Sequence, residues 1–182
     1  MVKFKPLIFG VLTGLIFFAS IQYAITLSSW FDWRRNALSD LGHSIKSQVA
    51  AQFNFTLLLV GLLMILLAIH YIRRSSRFSW ILFAISGFFL QTVATFDEIY
   101  GYLHFIVSVA LFISMGLTIL VDSLEFRSKT MMSLFFLYAL IWPSYYFIKT
   151  YTSILTKAAI PEISSVIVFM LWYILRWIKA SG

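Results

Sequence analysis

Residues 49–72 contain the run Phe55-Thr56-Leu57-Leu58-Leu59-Val60-Gly61-Leu62-Leu63-Met64-Ile65-Leu66-Leu67-Ala68-Ile69, and no Asp, Glu, Lys or Arg occurs between Val49 and Ile72. A helix needs about 20 mostly apolar residues to cross about 30 Å of hydrocarbon. In lipid every backbone N–H and C=O must be bonded within the segment, so such a run reads as a spanning α-helix. Five further stretches have the same character. The six predicted spans are about 6–28, 49–72, 78–96, 102–121, 130–148 and 161–178. Pro6 and Pro161 lie near helix starts, where a missing N–H removes no bond. Pro143 falls inside the fifth span, where it is expected to kink the helix and deprive a carbonyl of its donor.

Composition agrees. Of 182 residues, 61% are hydrophobic and 12% charged, against about a quarter charged in ordinary soluble domains. So few polar groups could not cover a soluble core. The net charge of +7 sits in short clusters between apolar runs, which is the pattern of topology signals and not of a nucleic-acid surface. There is no cysteine, which excludes disulfides, thiolate metal sites and cysteine nucleophiles. No phosphate-binding Gly-rich loop, dinucleotide fingerprint, His-Glu-x-x-His or nucleophile elbow is present.

The start, Met1-Val2-Lys3-Phe4-Lys5-Pro6, has the basic flank of a secretory signal, but the apolar run after it is longer, so it reads as a first spanning helix. Basic residues on the side of the N-terminus are Lys3, Lys5, Arg73, Arg74, Arg77, Arg127, Lys129, Arg176 and Lys179; opposite them are Arg34, Arg35, Lys46, Lys149 and Lys157. The excess predicts both termini on the cytoplasmic side of a cell membrane. The expected fold class is therefore all-α: a multi-pass bundle of six transmembrane helices, residues 1–182 forming a single transmembrane domain made of three hairpins that close on the outer side.

The longest connection, Ser29 to Gln48, opens with Trp30-Phe31-Asp32-Trp33-Arg34-Arg35, an interfacial composition in which the indoles lie at the headgroup layer. Five of the seven acidic residues fall on the outer side: Asp32, Asp40, Asp97, Glu98 and Glu162. His43 and His104 join them. The outer end is thus expected to be the only place where several titratable groups meet. Asn36, Ser39 and Asp40 precede the second helix and Asn54 lies about one turn inside it. Asp97 and His104 are expected to face each other across a turn at Gly101, and Glu162 starts the sixth helix, where a carboxylate suits the positive end of the dipole. Each of these also has a structural explanation: Asp40 and Ser39 as turn caps, Asn54 as an interhelical hydrogen bond, Asp97 and Glu98 as solvated loop charges, and His104 as a headgroup-level ring bonded to a carbonyl. Gly10 and Gly14 form a small-xxx-small pattern suited to helix packing.

Asn36-x-x-Ser39-Asp40-Leu41-Gly42, Phe53-Asn54, Gly61, His104 and Ile160-Pro161-Glu162 together resemble domain-of-unknown-function family 998. The resemblance implies a six-helix prokaryotic membrane protein and carries no established activity. The Ser-Asp-x-Gly core is also similar, more weakly, to the Frag1 and damage-regulated-autophagy-modulator membrane proteins; the Pro-Glu that often follows there is missing here.

Two functions follow from these residues. The first is a membrane protein that binds or organises a lipid or small polar ligand at an outer polar site made of Asn36, Ser39, Asp40, Asn54, Asp97, His104 and Glu162, with Trp30 and Trp33 beside a lateral opening. The alternative is an intramembrane hydrolase in which His104, Asp40 and Asp97, with His43 as a further imidazole, hold a divalent metal ion that activates water against a lipid ester or amide. The expected partners are membrane lipids and not nucleic acid. A proton or ion relay would need ionisable groups deep in the spans, and Phe55–Ile69 and Phe105–Val121 carry none.

Overall fold

The computed structural model describes residues 6–181, and of residues 179–181 the backbone alone. Lys3, Lys5 and the side chain of Lys179, counted above for topology, lie outside the described residues. The fold is six long helices: α1 (Pro6–Thr26), α2 (Ala50–Ile72), α3 (Phe78–Thr95), α4 (Tyr102–Glu125), α5 (Lys129–Thr152) and α6 (Ala159–Ser181), with short 3₁₀ turns at Leu38–Gly42 and Glu98–Tyr100. All six are long and apolar enough to cross a membrane, and the described residues contain no strand. The predicted spans differ only at their ends. The largest differences are that α4 runs on to Glu125 and α5 to Thr152, because charged or aromatic residues at a span's edge continue the hydrogen-bonded spiral into the headgroup layer. α5 is assigned as one continuous helix across Pro143.

Successive helices pack on one another and α6 closes back on α1. Aliphatic and aromatic side chains supply the core, including Phe17, Phe53, Phe83, Leu111 and Phe169. α2 and α3 approach most closely at two glycines. A Cβ on Gly61 would stand 2.5 Å from the carbonyl oxygen of Gly87, and one on Gly87 would stand 2.8 Å from that of Gly61. The small-xxx-small pair of α1 is used against α6, where Gly10 lies under the ring of Tyr173 and Gly14 under the side chain of Met170. α5 is the least embedded helix, burying only Met131, Tyr138 and Tyr145.

The three hairpin connections (α1–α2, α3–α4 and α5–α6) gather at one end, here the loop end; the α2–α3 and α4–α5 turns lie at the other. Two backbone bonds tie the first and third connections together: Thr156 N–H donates to Arg34 O at 2.9 Å and Ala159 N–H to Asn36 O at 3.0 Å. α5 stops in a left-handed residue, Ser153 (φ 54°), and the chain then turns toward the first loop.

The expectation that titratable groups meet only at the loop end is corrected by the opposite end. Asp122, on the last turns of α4 and 2% exposed, accepts from Trp172 Nε1 at 3.0 Å and Arg176 Nε at 2.9 Å on α6. Glu125 accepts from Phe78 N at 2.7 Å and Ser79 Oγ at 2.5 Å, capping the N-terminus of α3. The guanidiniums of Arg77 and Arg176 lie 3.8 and 3.6 Å from the ring centre of Phe126. Asp122 lies one residue past the charge-free stretch, and the helical turn carries it inward to α6.

Candidate functional site: a polar network opening into a lateral cleft

The loop end is organised by the segment 36–40. The carboxylate of Asp40 folds back to accept from Ala37 N at 2.9 Å and Asn36 Nδ2 at 3.0 Å, and its other oxygen accepts from Lys157 Nζ at 2.6 Å. Burial opposes ionisation of Asp40, but the Lys157 ammonium, the Asn36 amide and the Ala37 N–H outweigh it and hold the carboxyl below the usual aspartate value. Lys157 reaches it because the two backbone bonds to Arg34 and Asn36 pin the third connection alongside the first.

With the 3₁₀ turn fixed in this way, its exposed N–H groups and side chains point at the neighbouring helices. Leu38 N–H donates to Glu162 Oε2 at 2.6 Å, which joins the turn to the first turn of α6. Ser39 Oγ donates to Glu98 Oε1 at 2.6 Å. The same Glu98 oxygen is 3.6 Å from His104 Nε2. His104 Nδ1 is 2.7 Å from Phe96 O, and a carbonyl can only accept, so Nδ1 carries a proton and donates. Nε2 is then the nitrogen turned toward Ser108 Oγ, at 3.4 Å, and Glu98. Gly101, with φ 53°, makes the sharp turn that brings Glu98 back over His104.

Five of the seven polar residues singled out in the sequence therefore join one network: Asn36, Ser39, Asp40, His104 and Glu162. Two stand apart and hold the first loop. Asp97 does not face His104, as expected above; its carboxylate accepts from Ser44 N at 3.1 Å and Ile99 N at 2.9 Å, because α3 ends at Thr95 and Asp97 caps the following 3₁₀ turn. Burial of Asp97 is outweighed by these bonds, by the Ser44 side chain and by His43, so its carboxyl is also held below the ordinary value. Asn54 Nδ2 donates to Gly42 O at 2.8 Å. Asp40, Asp97 and His104, considered together as metal ligands, each have other partners. Among the described residues no group of three His, Asp or Glu is arranged to hold a metal ion. Sequence reasoning missed Glu98, treated as a solvated charge, and Lys157, treated as a topology signal. Their partners lie 59 and 117 residues away, a separation that no local pattern reveals.

Below this network a cleft of about 690 Å³ runs between α4, α5 and α6. Ser39, Glu98, His104, Lys157 and Glu162 line its polar end, and Phe112, Gly116, Leu117, Phe135 and Tyr138 its apolar depth. Phe105, Ile113 and Tyr146 at its mouth are each more than half exposed, so the cleft opens sideways on the surface that faces lipid. Two residues of α5 that border it have unsatisfied backbone or ring groups. The indole N–H of Trp142 is buried with no acceptor among the described residues. Pro143 brings no N–H to the carbonyl of Ala139, which also lines the cleft. Trp30 and Trp33 do not line it; they are exposed and stand edge-on to Phe31.

Six membrane-length helices carrying a polar network at one end and a side-opening cleft define a multi-pass α-helical membrane protein. No curated protein and no solved structure matches the chain. The chain belongs to the family described as protein of unknown function (DUF998), whose family model matches residues 11–177.

Proposed function

We propose that this protein is a lipid-binding component of the cell membrane, working as one transmembrane domain with both termini in the cytoplasm and the network of Ser39, Glu98, His104, Lys157 and Glu162 at the outer face. The observation that carries the reading is the continuity of the cleft. It begins among charged and hydroxyl groups at headgroup depth, continues along apolar walls, and opens laterally between α4 and α5. A molecule that fills it has to be polar at one end and apolar along the rest, and membrane lipids are the molecules of that shape at that depth.

Native mass spectrometry of the detergent-purified protein tests this. The wild type should carry a bound lipid; His104→Ala and Glu98→Gln should each reduce its occupancy. A folded wild type that retains no lipid after mild delipidation, and takes none up from added phospholipid, sinks the proposal. Recovery of cleaved lipid would replace binding by hydrolysis, with His104 Nε2 as the first group to examine. Orientation is tested separately in this cysteine-free chain. A membrane-impermeant maleimide on intact cells should label Lys46→Cys and leave Ser76→Cys unlabelled.

A further inference from the structure

A second, narrower and partly open cavity of about 140 Å³ is bordered by α1, α2, α3, α4 and α6. It passes from Phe9 and Tyr173, near the end opposite the loops, to Leu38, Ser39 and Glu162. On α2 its lining extends from Phe53 to Leu67, about 20 Å at 1.5 Å per residue. Spread over that length, the volume describes a bore and not a chamber. Its walls are apolar except at the loop end, where Ser39, Ser108 and Glu162 lie, and at Thr13 and Tyr173, whose hydroxyls are already bonded to Phe9 O at 2.9 Å and Pro6 O at 2.6 Å. Water has few partners in such a space.

Ser39, Ser108, Phe112 and Glu162 line both this bore and the lateral cleft. The two spaces therefore adjoin beneath the polar network. Gly10 and Gly14 line it on α1, and Met64, Met115 and Met170 contribute flexible thioether walls that adjust to an occupant.

We propose, building on the lipid reading above, that the bore takes one hydrocarbon chain of the bound lipid, threaded inward between Ser39, Ser108 and Glu162 and held along the bundle axis, while the headgroup rests at the loop end. A chain is the occupant that fits: long, thin, apolar and anchored at a single polar end. A second chain of the same lipid would remain in the cleft between α4 and α5. The site thus separates the two chains of a lipid, or selects a single-chain amphiphile.

The test uses the full-length protein in phosphatidylcholine nanodiscs containing two photoprobes: a phosphatidylcholine with a diazirine at the end of one acyl chain, and one with a diazirine in its headgroup. Labelled residues are mapped by peptide mass spectrometry. The chain-end probe should label interior positions such as Phe17, Met115 and Met170. Gly14→Leu, whose Cβ meets first the flexible end of Met170, should reduce that interior labelling by about tenfold as the bore fills, with labelling of lipid-facing Leu12 and Leu15 unchanged. Met115→Phe fills the bore from α4 and should act alike, which guards against a folding defect in either variant. Chain-end label confined to Leu12, Leu15 and Phe88, with headgroup label still found near His104, overturns the threading and leaves the cleft site intact. Absence of headgroup label near His104 as well overturns both.

Discussion

The hydroxyl of Ser39 lies 2.6 Å from Glu98 Oε1, although 59 residues separate them. This bond connects the first loop to the second and sets the acidic group against the ring of His104. A hydrogen bond to a carboxylate contributes about 1.5–3 kcal/mol, more than one between neutral groups. Ser39→Ala is expected to lower stability by about 1–2 kcal/mol and to reduce lipid occupancy. In thermal unfolding, Ser39→Ala combined with Glu98→Gln should cost less than the sum of the two single changes. Full additivity would show that the two side chains do not interact.

The pair formed by Lys157 and Asp40 should respond to pH as well as to substitution. Asp40 and Asp97 both have carboxyls held below the ordinary value, which is about 3.9. Their contribution to stability is therefore complete above that value and is lost as pH falls through the lower folded-state values. The unfolding temperature should drop as pH is lowered from about 5 to about 3, and Asp40→Asn and Asp97→Asn should each flatten that slope. Lys157→Met should cost about 1–2 kcal/mol, a discounted figure because half of the lysine side chain is in solvent. A slope that both Asn variants leave unchanged would refute the assignment.

At the opposite end, Asp122 is buried against Arg176 and Trp172. Removing one member strands the other without a partner, so Asp122→Ala is expected to cost about 3–5 kcal/mol. Replacing both charges, as Asp122→Leu with Arg176→Met, should recover much of that loss, since the desolvation penalty disappears along with the attraction. The comparison can be read from thermal unfolding in one detergent. A double variant no more stable than Asp122→Ala would argue that shape, not charge, holds this corner.

The glycines of α2 and α3 should be far less tolerant than a glycine that faces a side chain. At Gly61 an added methyl meets the backbone oxygen of Gly87 at 2.5 Å, whereas at Gly116 it meets only the ring of Tyr138, at 3.0 Å. Gly61→Ala is expected to destabilise by about 1–3 kcal/mol because two helix backbones must separate. Gly116→Ala should cost less, since only the edge of one side chain, held by its hydroxyl to Phe112 O, and not a helix backbone has to give way. Equal effects at the two positions would show that α2 and α3 do not pack at this distance.

How legible these features were depended on the range of the interaction. The 3.6-residue spiral and the thickness of hydrocarbon act within one segment, so the stretch from Phe55 to Ile69 was enough to identify α2, and the same reasoning found the other five helices to within a few residues. The polar site was half legible. Ser39, Asp40, His104 and Glu162 stood out as polar residues at the ends of apolar runs. Glu98 and Lys157 looked like ordinary loop charges, and Asp97 looked like the partner of His104 because it is nearer in sequence to a helix end. The 3₁₀ turn at Glu98–Tyr100 reversed that choice by rotating Asp97 toward Ser44 and Glu98 toward the ring.

By itself the sequence determined that the chain crosses the membrane six times as helices, because lipid offers no hydrogen bonds and each span must satisfy its own backbone. It also carried the family membership, through the match of residues 11–177 to the family model. The tertiary structure alone decided which polar groups meet. Asp40 finds Lys157, Leu38 finds Glu162 and Asp122 finds Arg176 only after loops and helix faces far apart in the chain have docked, and docking is set by side-chain shape at glycine contacts and aromatic surfaces, not by any local pattern. The cleft and the bore have the same origin. They are spaces left between helices, and a space has no residues of its own to read.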